Sequence, residues 1–169
     1  MSHKNDTIDH IDKAISKIDW SAYDTAYGNA AQNHPYSVPL QDNRGYMPKV
    51  AQSLKDLFSD NKDIALQASH DLWCDLCHQH TFISSASLPA YDILYDGLQI
   101  LDTTLKVEIL DIFYGFAICT TNEASPNSWQ AQLRTKLKNN IDTFAQLTTH
   151  PNEDIVAFAE NILSALQQP

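Results

Sequence analysis

Apolar residues recur three and four positions apart along almost the whole chain, and no segment alternates between apolar and polar as a half-buried strand does. With only four glycines in 169 residues, little interrupts that helical period. The fold class read from this pattern is all-α. The spacing predicts helices over Thr7–Ile18, Trp20–Tyr27 (short), Met47–Phe58, Asn61–His78, Ser87–Ile100, Thr103–Cys119, Ser128–Leu147 and Asn152–Leu166. Asp60 and Asp102 suit N-caps. Pro48, Pro89 and Pro126 stand at or just before helix starts, where a missing N–H costs nothing, and Pro151 stops the helix before it. A chain of this length buries one ordinary core, so residues 1–169 read as a single helical-repeat domain. Residues 1–46 supply N-terminal helices and a loop, and residues 47–169 supply three helical hairpins.

The second helices of those hairpins begin near residues 61, 103 and 152, a period of about 40–50 residues that fits helical-hairpin repeats. An amphipathic hairpin cannot bury its apolar face alone, so stacked pairs share a core and leave one row of helices as a binding surface. The pattern therefore predicts a short HEAT-like α-solenoid of antiparallel pairs; an irregular helical bundle would carry the same period. On a helical wheel at 100° per residue, the helix from Thr103 puts Leu105, Ile109, Ile112, Phe113 and Phe116 on one side and Glu108, Asp111 and Gly115 opposite. The helix from Asn61 puts Ala65, Ala68, Leu72, Trp73 and Leu76 inward and Asp63, Gln67, His70, Asp71, Cys74 and His78 outward.

Eleven Lys and Arg against twenty-one Asp and Glu give a net charge of −10, which argues against a binder of nucleic-acid backbones. The first twenty residues hold no apolar core of a signal peptide. The longest greasy run, Ile109–Cys119, is too short for a bilayer and is broken by Asp111. Three cysteines make no disulfide framework. A soluble cytoplasmic protein without membrane contact is expected.

Asp19-Trp20, Ala26-Tyr27-Gly28-Asn29-Ala30, Met47-Pro48, Leu54, Leu57, Ser59-Asp60, Ala65, Leu72, His78-Gln79, Thr81, Ala86 and Leu88-Pro89 form a pattern over residues 19 to 100. It resembles small bacterial HEAT-repeat-like proteins, with their Asp-Trp opening, Ala-Tyr-Gly turn, Pro-started helix and His-Gln-Gly-Thr loop. Some such proteins are immunity proteins of contact-dependent inhibition and other polymorphic-toxin systems, so the resemblance implies toxin neutralisation by binding. Two positions depart from the pattern. The loop glycine is His80 here, and Gln32–Gly45 is an insertion. That insertion reads either as a contact loop, with Tyr36, Arg44 and Tyr46 as candidates, or as a surface excursion.

Between Asp63 and Glu123 stand nine acids and one base, a net −8 of the −10. Asp71/Asp75, Asp92/Asp96 and Glu108/Asp111 are like-charged neighbours on helix faces, each costing about 0.2–0.5 kcal/mol rather than helping the fold. Such a field attracts a basic partner, and Tyr114, Tyr91 and Tyr95 supply anchors; it equally serves as a solvated face. A nuclease toxin, whose substrate site must be positive, fits the charge. The partner-binding set expected is Asp71, Asp75, Glu108, Asp111, Tyr114 and Tyr36. An adaptor without a toxin is the alternative binding role.

The segment HDLWCDLCHQH places His70, Cys74, Cys77, His78 and His80 close in sequence. Cys74-x-x-Cys77-His78 matches a haem-attachment signature, but attachment belongs to an exported protein, so no cofactor is expected. As a zinc site the four residues from His70 to His78 span about 12 Å of helix, too far to share one ion through bonds of about 2.0–2.3 Å. No metal is assigned. No phosphate-cradling loop, nucleophile elbow or HExxH is present, and no enzymatic activity is expected. A metal-dependent hydrolase built on His70, Asp71 and the end of that helix is the remaining catalytic alternative.

Overall fold

A computed structural model describes residues 2–35, 45–121 and 125–168 of the chain. Within them lie eight α-helices: α1 Ser2–Lys17, α2 Val50–Asp56, α3 Lys62–Cys77, α4 Ser87–Ile100, α5 Thr103–Cys119, α6 Trp129–Asn139, α7 Ile141–Leu147 and α8 Glu153–Gln167. Two antiparallel ladders of two-residue strands join them, β1 Asp24–Thr25 with β2 Gly28–Asn29 and β3 His34–Pro35 with β4 Tyr46–Met47. The all-α reading holds at this level. Tyr36 and Arg44 lie outside the described residues.

Capping side chains set several helix starts. Asp102 accepts from the Leu105 N–H at 3.0 Å, as its position predicts, while Ser128 and Asn152 cap α6 and α8 in the same way. Asn61, not Asp60, caps α3, taking the N–H groups of Asp63 and Ile64.

Three predicted helices differ. The one expected over Trp20–Tyr27 is a single 3₁₀ turn, Trp20–Ala22, followed by the β1–β2 hairpin, because Gly28 adopts a φ of 133° that no helix contains. The helix expected from Met47 starts at Val50, since Met47 pairs with His34 and the residue before Pro48 is pushed toward extended backbone. The helix expected over Ser128–Leu147 breaks at Asn140. There the side-chain amide donates to Lys136 O at 3.2 Å and to the Tyr91 hydroxyl at 3.0 Å, drawing a carbonyl away from the helical ladder.

Helix α5 sits at the centre, touching α3, α4, α6 and α8. Its expected apolar side is buried, but Gly115, expected outward, is buried too. A helix with neighbours on several sides has no free face for a wheel to predict. The pairs α2/α3, α4/α5 and α7/α8 are in contact, as are α2 with α4, α4 with α6, α3 with α5, and α5 with α8. Tyr91, Phe113 and Phe144 fill the core between them, with ring centroids 5.0 and 6.0 Å from that of Phe113. Arg134 is buried and donates to Ala117 O, Ala165 O, Leu166 O and Gln168 O, closing the C-terminal ends of α5 and α8 at once.

Candidate protein-docking site

The site begins where α3 ends. His78, Gln79 and His80 take φ values of 28°, 55° and 61°, three consecutive left-handed residues without a glycine. Each such residue carries roughly 1–2 kcal/mol of strain, so the turn must be held by its surroundings. Ser84 and Ser87 hydroxyls donate to the Asp75 and Leu76 carbonyls at the end of α3, both at 2.9 Å. The Cys119 thiol donates to His80 O. His80 Nε2 lies 2.8 Å from Asp111 Oδ1 and 3.1 Å from Asp111 O. A carboxylate only accepts, so Nε2 carries the proton and the nearby Trp73 indole N–H is in contact with it rather than bonded to it. His80 thus holds a positive φ without being a glycine, and its side chain is fastened to α5.

This turn completes a ribbon of rings across three helices. His70 stacks near Trp73 at 5.9 Å between centroids, Trp73 meets His80 at 6.0 Å, His80 meets Tyr114 at 5.2 Å, and Tyr114 meets Phe158 of α8 at 6.3 Å. His70 is exposed and the other four are half-buried. Glu108 and Asp111 precede Tyr114 by about two helical turns and one along α5, also half-buried. Burial raises the pKa of both carboxyls. For Glu108 the nearby Asp111 adds to the rise and His70 opposes it; for Asp111 the charge and hydrogen bond of His80 oppose it. Glu108 makes no side-chain hydrogen bond among the described residues.

Of the residues expected to bind a partner, Glu108, Asp111 and Tyr114 are brought together here. Asp71 and Asp75, expected to face outward, are each 1% exposed. The N-terminal hairpin covers α3 at Asp75: the Ala26 N–H donates to Asp75 O at 2.9 Å, and Tyr27 reaches His78 Nδ1 at 3.5 Å. Asp71 accepts from Gln67 at 3.0 Å. Neither carboxyl oxygen of Asp75 has a hydrogen-bond partner among the described residues, and burial, then the adjacent Asp71, pushes its pKa up to about 8. Tyr91, expected as an anchor, is fully buried in the core, and Tyr95 is half-buried with its hydroxyl 2.7 Å from that of Thr143.

The chain matches no family model, no curated protein and no solved structure. The reading of the site therefore rests on its own geometry.

In the His/Cys segment, His70 Nε2 lies 3.7 Å from Cys74 Sγ, while Cys77 is fully buried against Gly115. Burial raises all three thiols, that of Cys74 to about 11, so they stay protonated near neutrality and are poor nucleophiles. Among the described residues no group of three His, Cys, Asp or Glu side chains is placed to hold a metal ion, and no helix is long and apolar enough to cross a membrane. Trp73 and Phe158 were not legible as site residues, and His80 was legible only as a member of the His/Cys segment and of the loop, not as part of a docking face. They lie in three separate elements, and Trp73 reads on a wheel as plain core.

Proposed function

We propose that this protein is a binding module for a basic protein, and that it acts as a cytoplasmic immunity protein neutralising a cognate toxin by stoichiometric binding. The observation that carries the reading is the half-exposed ribbon from His70 to Phe158 lying beside Glu108 and Asp111, with four of its five rings inside the part of the chain that holds most of the negative charge. Aromatic side chains with one face in the core and one in water are rigid anchors that lose little entropy on binding. Surrounding carboxylates speed encounter with a cationic surface. The ordered contacts of α2, α4 and α6, and of α3, α5 and α8, support reading the helices as a short HEAT-like solenoid whose second row presents this surface. The interface falls on Glu108, Asp111 and Tyr114 with Trp73 and Phe158 rather than on Asp71 and Asp75.

The test is capture from source-cell lysate by the tagged whole chain at low salt, with salt elution and mass spectrometry, beside a Glu108→Lys, Tyr114→Ala variant checked by circular dichroism. The expected result is one basic protein in equal amount, lost with the folded variant, that arrests growth when expressed alone and not when co-expressed with this chain. Capture of nothing, or of a protein harmless on its own, overturns the toxin reading. Equal capture by the folded variant overturns the assigned face.

A further inference from the structure

We propose that Asp75 is a proton-dependent latch on the N-terminal hairpin: while its carboxyl holds a proton the β1–β2 hairpin stays closed over the end of α3, and release of that proton to solvent lifts the hairpin tip. The latch is independent of any partner. Asp75 is 1% exposed, and neither of its carboxyl oxygens has a hydrogen-bond partner among the described residues. A neutral acid tolerates such a site far better than a carboxylate, whose lost hydration nothing there replaces. Asp71, one turn earlier on α3, is equally buried, accepts from Gln67 at 3.0 Å, and opposes ionisation of Asp75. Beside Asp75 lie Cys74, its thiol raised to about 11, and Tyr27 of the hairpin, raised by burial and then by Cys74 and Asp75, so both are neutral near pH 7. His78 Nδ1 faces the Tyr27 hydroxyl at 3.5 Å, and Asp24 in β1 is exposed.

An ionised Asp75 needs water, and the hairpin is the cover that yields most readily. Its strands are two residues each, and Tyr27 and Gly28 at its tip are exposed. Asp24 ties its base to the start of α4: its N–H donates to Ser85 Oγ at 2.9 Å, and its carbonyl accepts from the Ala86 N–H at 3.0 Å. At the tip the Ala26 N–H donates to Asp75 O at 2.9 Å, which fastens the hairpin to the residue that titrates. Helix α3 is held more firmly, by the Ser84 and Ser87 hydroxyls on its last carbonyls and by Leu72 and Leu76 in the core. Segments with few buried contacts open locally at a fraction of the global free energy. Between the ordinary carboxyl value of 3.8 and about 8, the closed state carries a proton that the open state has lost. The open-to-closed ratio therefore rises about tenfold per pH unit across that window and levels off above it. In this way pH sets how often the Cys74–His78 edge of α3 meets water.

The experiment follows amide hydrogen exchange of the whole chain by ¹H–¹⁵N spectra from pH 5 to pH 7, where reclosing outruns exchange, and compares the Ala26 N–H with that of Ala159, buried in α8. Hydroxide catalysis alone speeds exchange about tenfold per pH unit; with the latch, Ala26 is expected to gain about hundredfold per unit while exchanging well ahead of Ala159. Asp75→Asn, which cannot ionise, is expected to return Ala26 to about tenfold. In the parent protein, which needs no variant to fold, ¹³C spectra of the Asp75 carboxyl are expected to show it titrating well above 3.8. A tenfold slope for Ala26 in the parent overturns the latch, as does a carboxyl that titrates near 3.8. Ala26 exchange no faster than that of Ala159 means that the hairpin opens only with the whole fold, and overturns it too. A hundredfold slope retained in Asp75→Asn gives the proton to another group and overturns the role of Asp75.

Discussion

His80, at a φ of 61°, holds its Nε2 2.8 Å from Asp111 Oδ1, so the residue that ends the left-handed turn after α3 is fastened to the middle of α5. Both side chains are about a quarter exposed, which limits the pair to the value of a partly screened ion pair. A double-mutant cycle with His80→Ala and Asp111→Ala, measured by urea unfolding, is expected to give a coupling of about 1 kcal/mol. Additive single effects would show that the turn is held by its other bonds.

Gln79 is the middle residue of the same turn, with φ 55° and an exposed side chain. Glycine adopts that conformation without the Cβ clash. Gln79→Gly is therefore expected to stabilise the protein by about 0.5–1 kcal/mol, read as a higher urea midpoint. A lower midpoint would mean that the turn is not strained in solution.

Gly115 allows α5 to approach the turn. A Cβ there would lie 2.8 Å from Cys77 Cβ and from His80 Cδ2, the first of which is carried rigidly by its backbone. Gly115→Ala is expected to cost about 1–3 kcal/mol and to shift the Trp73 fluorescence. Gly97 in α4 is the control. Its added Cβ would meet the ends of the Ile109 and Phe58 side chains at 3.2 Å, and the gain in helix propensity of up to about 1 kcal/mol offsets a small repacking. A Gly115→Ala protein as stable as Gly97→Ala would rule out the close approach.

The Asp75 carboxyl, with an ordinary pKa of 3.8, is pushed up to about 8 by burial and by Asp71. Between those two values the folded state holds a proton that the unfolded state has released, so stability falls as pH rises through this window and levels off above it. Thermal unfolding from pH 5 to pH 9 is expected to show this loss, roughly 2–4 kcal/mol in all. Asp75→Asn, which cannot ionise, flattens the profile and exceeds the parent protein at pH 9. An unchanged slope in the variant would place the titration elsewhere.

By itself the sequence determined that the chain is helical, where α4 and α5 begin and end, and that the negative charge gathers in its middle. These are local properties, fixed by the period of apolar residues, by capping side chains such as Asp102 and by composition. Glu108, Asp111 and Tyr114 were readable as a row on one helix because their spacing is a property of that helix alone. Tertiary structure decided what each face meets. It buried Asp71, buried Asp75 beside a hairpin some fifty residues away in the chain, buried Gly115 against Cys77, and brought Trp73, His80, Tyr114 and Phe158 into one ribbon. A helical wheel assumes one buried side. Helices α3 and α5 each have neighbours on more than one, and which neighbours those are depends on contacts between residues far apart in sequence, which no local period encodes.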